Sequence, residues 1–240
     1  MEAIVNLFVR HGFTFECKGY SVAVINDPPG MFQEEDSRKV VESLRIVAAE
    51  SFGVPVERQS IDGVRDHVTN VDVLAVMYDA EKVFGFASAR IIPEHDLFFL
   101  HGAAVLRATQ GKGVGLSVVK ILLEKSKMQR IAFTTQNPAM FCLCRKVFGL
   151  VYPRPEIIAI PERLEIIGAE LMSGRKGEFS PKTFVAKELY SSCLYDRIPD
   201  CKDMAVNEWF KSRLNIENGL SRSAFLLIGE NQNETKEYVI

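Results

Sequence analysis

Three apolar runs rich in β-branched and aromatic residues, VDVLAVMYD, KVFGFASARII and DLFFLHGAAVL, follow one another with only the short links AEK and PEHD between them. Links this short cannot return the chain for a parallel pair, which needs a crossover of about a dozen residues or more. The three runs therefore predict an antiparallel meander. What comes before and after must pack on that sheet. Upstream, YSVAVIND reads as another strand, and QEEDSRKVVESLRIVAAESFG, from about 33 to 53, as a helix. In the helix Val40, Val41, Leu44, Val47, Ala48 and Phe52 recur at helical spacing, acids fill the first turn, and Gly53 with Pro55 ends it. IDGVRDHVTN predicts a short second helix.

Beyond the meander stands RATQGKGVGLSVVKILLE, with Gly111, Gly113 and Gly115 alternating at the start of an apolar helix. Glycines here let the backbone approach an anion closely, and the helix start offers N–H groups and a favourable dipole. Two nucleotide readings fail. A phosphate loop of the Walker type needs Ser or Thr after Gly-Lys, whereas Gly113 follows Lys112. A dinucleotide fingerprint needs G-x-G-x-x-G and an acid closing the next strand; here the third glycine comes one position early, and RIAFTTQ ends without an acid.

What remains is Gln110-Gly111-Lys112-Gly113-Val114-Gly115, a Q-x-x-G-x-G turn between strand and helix. It resembles the acetyl-CoA pyrophosphate loop of the GNAT superfamily of N-acetyltransferases. Val105, five positions before Gln110, stands where that family has a valine whose backbone meets the pantetheine arm, and NPAMFCLCRKVFGL resembles the family's second signature. In that stretch Asn137 is a good N-cap, Pro138 fits the first helical position and Gly149 the C-terminal cap. The order of elements also fits, over roughly residues 20 to 150.

The resemblance implies an α/β GNAT fold: a mixed, mostly antiparallel central sheet flanked by helices, with a C-terminal extension. Residues 1–155 are expected to form the core with N-terminal strands, and 156–240 to complete the same domain with further strands and the extension. In that tail EIIAI, FVAKELY and AFLLIG read as strands, and PERLEIIGAELM and MAVNEWFKSRL as helices. The implied activity is transfer of the acetyl group of acetyl-CoA to a primary amine by direct attack, with acetyl-CoA as co-substrate and no metal. The coenzyme contacts implied are Val105, Arg107, Gln110, Gly111, Lys112, Gly113, Val114, Gly115 and Asn137.

Many family members place a Tyr seven residues after the Asn, where it protonates the leaving thiolate. Here that position is Cys144, and Tyr152, just past the helix, is the nearest substitute acid. Cys142 and Cys144 read as small helix residues, with no His beside them in sequence to activate a thiolate. For the base, LFFLHGAAVLRATQGKG resembles the H-x-H-A-x-A-V strand of arylalkylamine N-acetyltransferases. His101 matches its second histidine, and Phe99 replaces the first. Strand alternation puts Phe99, His101 and Ala103 on one face, and an unperturbed imidazole would put an acidic limb near pH ~6.5. His11, His67 and His95 lack such a motif, and Arg90 reads as a surface residue before a possible substrate contact.

Two other readings stand beside this one. FGFASARIIPE resembles the Gly-x-x-Arg-Leu-x-Pro stretch of acyl-homoserine-lactone synthases, which use a longer acyl donor; the Glu-x-x-Arg they carry before the loop is missing from FLHGAAVLR. A non-catalytic acyl-CoA-binding module on the same fold is the third, motivated by the missing Tyr.

Charge and cysteine usage set the surroundings. With 29 basic and 31 acidic residues and a net charge of −2, nothing points to nucleic acid or an anionic membrane. The five cysteines lack metal-site spacing and read as free thiols in a reducing compartment. The apolar N-terminal stretch has Glu2 before it and Arg10 and His11 after it, the wrong charge order for a signal peptide, so a cytoplasmic setting is expected. The expected partner is a small-molecule or peptide amine, and the C-terminal extension is expected either to cover one side of the cleft or to form the surface of a homodimer.

Overall fold

The computed structural model describes residues 2–80, 82–156, 159–216 and 221–231. They fall into two compact units, residues 1–92 with 98–127, and residues 93–97 with 128–240. β6, α6 and β7 fall in the second of these units.

The first unit runs α1 (Glu2–His11), β1 (Phe13–Cys17), β2 (Tyr20–Asn26), α2 (Pro28–Met31), α3 (Glu34–Phe52), α4 (Ile61–Val68), β3 (Val73–Tyr78), β4 (Val83–Ile92), β5 (Leu97–Val105) and α5 (Val114–Ser126). The strands lie in sequence order, and β1–β2, β2–β3 and β3–β4 pair antiparallel. β4 and β5 also run opposite ways: Leu106 N–H donates to Phe84 O at 2.8 Å, while Gly102 lies against Ser88. The meander is therefore present as its short links required. All six residues of β3 are buried, which is why it reads as an unbroken apolar run.

α3 buries the stripe Val40, Val41, Leu44, Val47 and Ala48, and stops where Gly53 takes φ +71° and returns its N–H to Ala49 O and Glu50 O. α4 starts where the Ser60 hydroxyl accepts from Gly63 N–H at 2.9 Å. The N-terminal stretch, to which the sequence reading gave no element, forms α1 and β1, and Phe8 of α1 is wholly buried.

The second unit contains β6 (Arg130–Thr135), α6 (Pro138–Phe148), β7 (Gly149–Tyr152), α7 (Glu162–Met172), β8 (Glu178–Ser180), β9 (Val185–Lys187), α8 (Met204–Leu214) and β10 (Ala224–Asn231). β10 is its axis. One edge pairs antiparallel with β6; the other pairs with β9 at Ala224–Phe225 and with β7 at Ile228–Asn231. The strand expected over FVAKELY is limited to Val185–Lys187, because Phe184 and Glu188 on either side adopt φ of +56° and +53° and turn the chain away. Of the strand expected over EIIAI, Ile157 and Ile158 lie outside the described residues.

α6 begins as predicted: Asn137 Oδ1 accepts from Ala139 N–H at 2.8 Å, and Pro138 occupies the first turn. It lies so close to β10 that a Cβ on Gly229 would fall 2.6 Å from Cys144 Sγ. Cys144 is thus a core residue, and its small size is what the contact needs. On α8, Trp209 stacks on Phe225 of β10 with ring centroids 4.4 Å apart.

Glu230 of β10 carries a buried charge. Arg163 of α7 meets both its oxygens at 2.5 and 2.6 Å, and Arg130 of β6 donates at 2.8 Å. Burial alone would raise this carboxyl, but the two guanidiniums outweigh it and hold it below the usual range. A depressed carboxyl stabilises the fold above its unfolded pKa, about 4.3, and that contribution disappears as pH falls through the lower folded value. Glu230→Gln is expected to lower the unfolding free energy by about 3 kcal/mol at pH 7, the low end for a broken buried pair because Arg163 is half exposed. Urea titrations should show the wild type losing more stability than the variant between about pH 5 and pH 3.

Candidate active site

In the first unit, the end of β5 is tied to the last turn of α3. The Ser51 hydroxyl accepts from Val105 N–H at 3.2 Å. Gln110 Nε2 donates to Val105 O at 2.8 Å and to Ser51 O at 3.4 Å, and Arg107 Nη2 donates to Phe52 O at 3.3 Å. The Gln110 N–H bonds back to Leu106 O and Arg107 O, each at 3.2 Å. The Gln110 and Arg107 side chains therefore anchor the turn, and the Val105 backbone is held by Ser51 and Gln110.

The chain then enters the glycine turn. Gly111 has φ +76° and Gly113 φ +84°, left-handed conformations that a residue with a Cβ rarely adopts. Chain neighbours apart, no atom of the described residues lies within 4 Å of where a Cβ would stand on either glycine, so the turn is open in front. Gly113 is the N-cap of α5 without a side-chain cap, and the first helical bond there runs from Ser117 N–H to Gly113 O at 3.0 Å. The N–H groups of Val114, Gly115 and Leu116 precede that bond and remain outside the helix ladder. Lys112 is exposed. Open space, positive φ and unpaired N–H donors at a helix start make a cradle that suits a diphosphate.

Also in the first unit, β5 places His101 against α4. His101 Nε2 lies 3.0 Å from Asp66 Oδ2, and Asp66 Oδ1 lies 3.4 Å from Arg90 Nη2 of β4. The His101 side chain is only 9% exposed, and its Nδ1 is buried with no hydrogen-bond partner among the described residues. The His67 ring stacks on it, centroids 4.5 Å apart and planes 18° from parallel, while His67 Nδ1 bonds to Gly63 O at 2.7 Å. The Phe99 and His101 rings are neighbours at 6.3 Å, as a shared face requires.

Burial first, and then the neighbouring His67, push the His101 imidazole down to about 4, against the pull of the Asp66 hydrogen bond. This corrects the acidic limb expected near pH 6.5: a ring so desolvated resists charge. It also shows what surrounds the ring: Arg90 is exposed, as its surface reading expects, and His67 stands beside His101. The helix bearing His67 packs its last turn on β5, and Arg90 turns to Asp66 while remaining half exposed. No sequence spacing relates α4 to β5, so this cluster was not legible before folding.

Asp66, His67 and His101 each bring a ligand atom within 4.8 Å of the others. A single ion bound by both rings would have to lie in both ring planes, since imidazole lone pairs are in-plane. Stacked rings 18° from parallel do not meet at bonding distance. The arrangement suits proton handling better than metal binding.

In the second unit, Asn137 caps α6 through its oxygen, and its Nδ2 lies 3.4 Å from the Tyr195 hydroxyl. Burial pushes that phenol up to about 12. Tyr195 lies in the stretch before α8 that the sequence left unread; no periodicity there announced it. Gln136, next to Asn137, is wholly buried and holds two other segments: its Nε2 donates to Ser221 O and Ser223 O at 2.8 and 3.0 Å, and its Oε1 accepts from Leu194 N–H at 3.1 Å. Burial raises the thiols of Cys142 and Cys144, the former to about 12, so neither is a thiolate nucleophile at neutral pH. Tyr152 is half-buried, pairs with Ile228 in the β7–β10 ladder and packs under the Arg154 guanidinium at 5.6 Å.

Comparison with known proteins follows the same line. The Acetyltransferase (GNAT) family model matches residues 41–148. No curated protein matches the sequence. Among solved structures, the fold is similar to the ribosomal-protein-S18-alanine N-acetyltransferase from Escherichia coli, at 10% identity over 90% of this chain and 99% of that one, TM-score 0.47. It is similar to the IAA acetyltransferase from Bacillus cereus at 15% identity, over 87% of this chain and 99% of that one, TM-score 0.44. A putative acetyltransferase from Pyrococcus horikoshii matches at 15% identity and TM-score 0.43, over 55% of this chain and 44% of that one, less than half of its length. The matched segment takes in most of α3, the meander, the open glycine turn and α6, so that residues 41–148, a little under half of this chain, are similar to the acetyltransferase (GNAT) family.

Proposed function

We propose that the chain transfers the acetyl group of acetyl-CoA to a primary amine by direct attack, with no metal in the reaction. The observation that carries this reading is the glycine turn, with positive φ at Gly111 and Gly113, open space before both and unpaired N–H groups at the start of α5. The backbone of residues 111–115 is proposed to hold the diphosphate, while Gln110 and Arg107 keep the turn in place. Asn137 stays a proposed coenzyme contact on the family resemblance. When bound, acetyl-CoA supplies an activated thioester.

An alkyl ammonium has a pKa near ~10.4 and must lose a proton to become a nucleophile; the nitrogen sheds a second one on acylation. His101, neutral at physiological pH and with Nδ1 unpartnered among the described residues, is proposed to take a proton from the substrate nitrogen. No dedicated side-chain acid is assigned. Cys144 is sealed in the core, and Tyr152 is the remaining candidate from the sequence.

Three outcomes are expected. Gly113→Asp, which brings a Cβ into a left-handed position and a carboxylate into an anion cradle, should abolish acetyl-CoA binding in calorimetry while circular dichroism stays unchanged. Wild-type affinity in that folded variant would refute the cradle. His101 should titrate by NMR with a midpoint of about 4. Because its pKa is lower folded than unfolded, the fold should lose stability as pH falls from about 6.5 toward that midpoint. A midpoint near 6.5 would contradict the buried geometry. Tyr152→Phe should lower kcat by less than about tenfold, or ~1.4 kcal/mol, and a hundredfold loss would make Tyr152 the acid.

A further inference from the structure

The buried imidazole of His101 raises a question that the base assignment alone leaves open, namely which of its two nitrogens is basic. A neutral imidazole has one N–H donor and one lone-pair acceptor, and the hydrogen bond made by one nitrogen decides the role of the other. His101 Nε2 faces a carboxylate at 3.0 Å, and an ionised carboxylate accepts only. Asp66 is ionised: burial would raise its pKa, but the contacts with His101 and Arg90 leave it below the usual range. Nε2 must therefore carry the hydrogen, and Nδ1 is the acceptor. Nδ1 is also the atom left buried without a partner among the described residues. Burying an acceptor without a hydrogen bond is costly, so this lone pair is held ready for a proton donor that the described residues do not provide.

We propose that Asp66 is the positioning residue of the base: its carboxylate fixes the Nε2–H tautomer of His101, aims Nδ1 at the substrate nitrogen, and leads the proton out. Nδ1 takes a proton from the substrate nitrogen and forms a bond to it, and the imidazolium releases its other proton from Nε2 to Asp66 Oδ2. Asp66 is half exposed and passes that proton to water. Charge and protons balance, one entering at Nδ1 and one leaving at Nε2, and the ring returns to the neutral state in the opposite tautomer before it resets through solvent. His67 and Arg90 also face this pair, the first by stacking on the ring and the second by its contact with Asp66. Both disfavour a lasting imidazolium, so the proton is passed on rather than kept.

This inference rests on His101 being the base, and the test separates the two. Long-range ¹H–¹⁵N correlation spectra of the wild-type protein at pH 7 should show His101 with a protonated Nε2 and a pyridine-type Nδ1. In Asp66→Ala that tautomer preference should be lost. The midpoint of His101 should drop further, because the one group raising it is gone. With an amine substrate kcat should fall by about ten- to a hundredfold, while the KM for acetyl-CoA stays within about twofold. Asp66→Glu, which restores the carboxylate, should recover part of kcat and the tautomer. A wild-type ring protonated at Nδ1, or an Asp66→Ala variant with unchanged kcat, would overturn the role of Asp66. Wild-type kcat in His101→Ala would instead remove the base assignment itself, whatever tautomer the spectra show.

Discussion

The hydrogen bonds that join the last turn of α3 to the end of β5 decide where the first unit presents its glycine turn. A strand end and a helix end each leave backbone groups without partners. Here they satisfy one another through side chains: Ser51 takes the Val105 N–H, while Gln110 and Arg107 take the carbonyls of Val105, Ser51 and Phe52. The chain therefore leaves β5 along a fixed line, and Gly111 and Gly113 then make turns that only glycine makes readily. Gln110 holds the turn through its side chain, and the first N–H groups of α5 follow just beyond it.

His101 shows a balance between burial and pairing. Desolvation opposes the charged ring more strongly than one carboxylate favours it, and the stacked His67 adds to the opposition. The result is an imidazole that stays neutral at ordinary pH, which a proton acceptor requires. A hydrogen-bonded carboxylate on one nitrogen, and no partner among the described residues on the other, make the two sides of the ring unlike. The stacking that discourages a shared metal ion also restrains the ring from turning over.

The second unit is organised by the close approach of α6 to β10. Gly229 and Cys144 meet where larger residues would not fit, which explains why the helix lacks a tyrosine at that position: the side chain there faces the sheet and is sealed. The hydroxyl near Asn137 comes from Tyr195, far along the chain, and Gln136 fastens that region by accepting the Leu194 N–H. Glu230, held by two arginines, ties β10 to β6 and α7.

The sequence by itself determined the local structure. Links of a few residues required the meander, helical spacing and Gly53 bounded α3, Asn137 and Pro138 began α6, and the alternating glycines marked the turn before α5; each depends on residues near one another in the chain. It also singled out His101 as the proposed base, through the resemblance of its strand. Where local cues were weak it read less: α1 was missed, and β9 was drawn too long because two positive φ angles carry no periodic signal. Only the tertiary structure decided the environment of the imidazole. Asp66 and His67 lie on a helix 35 and 34 residues before His101, and no local pattern ties that helix face to β5. Proton affinity depends on burial and on charges within a few ångströms, and these are set by packing rather than by order along the chain.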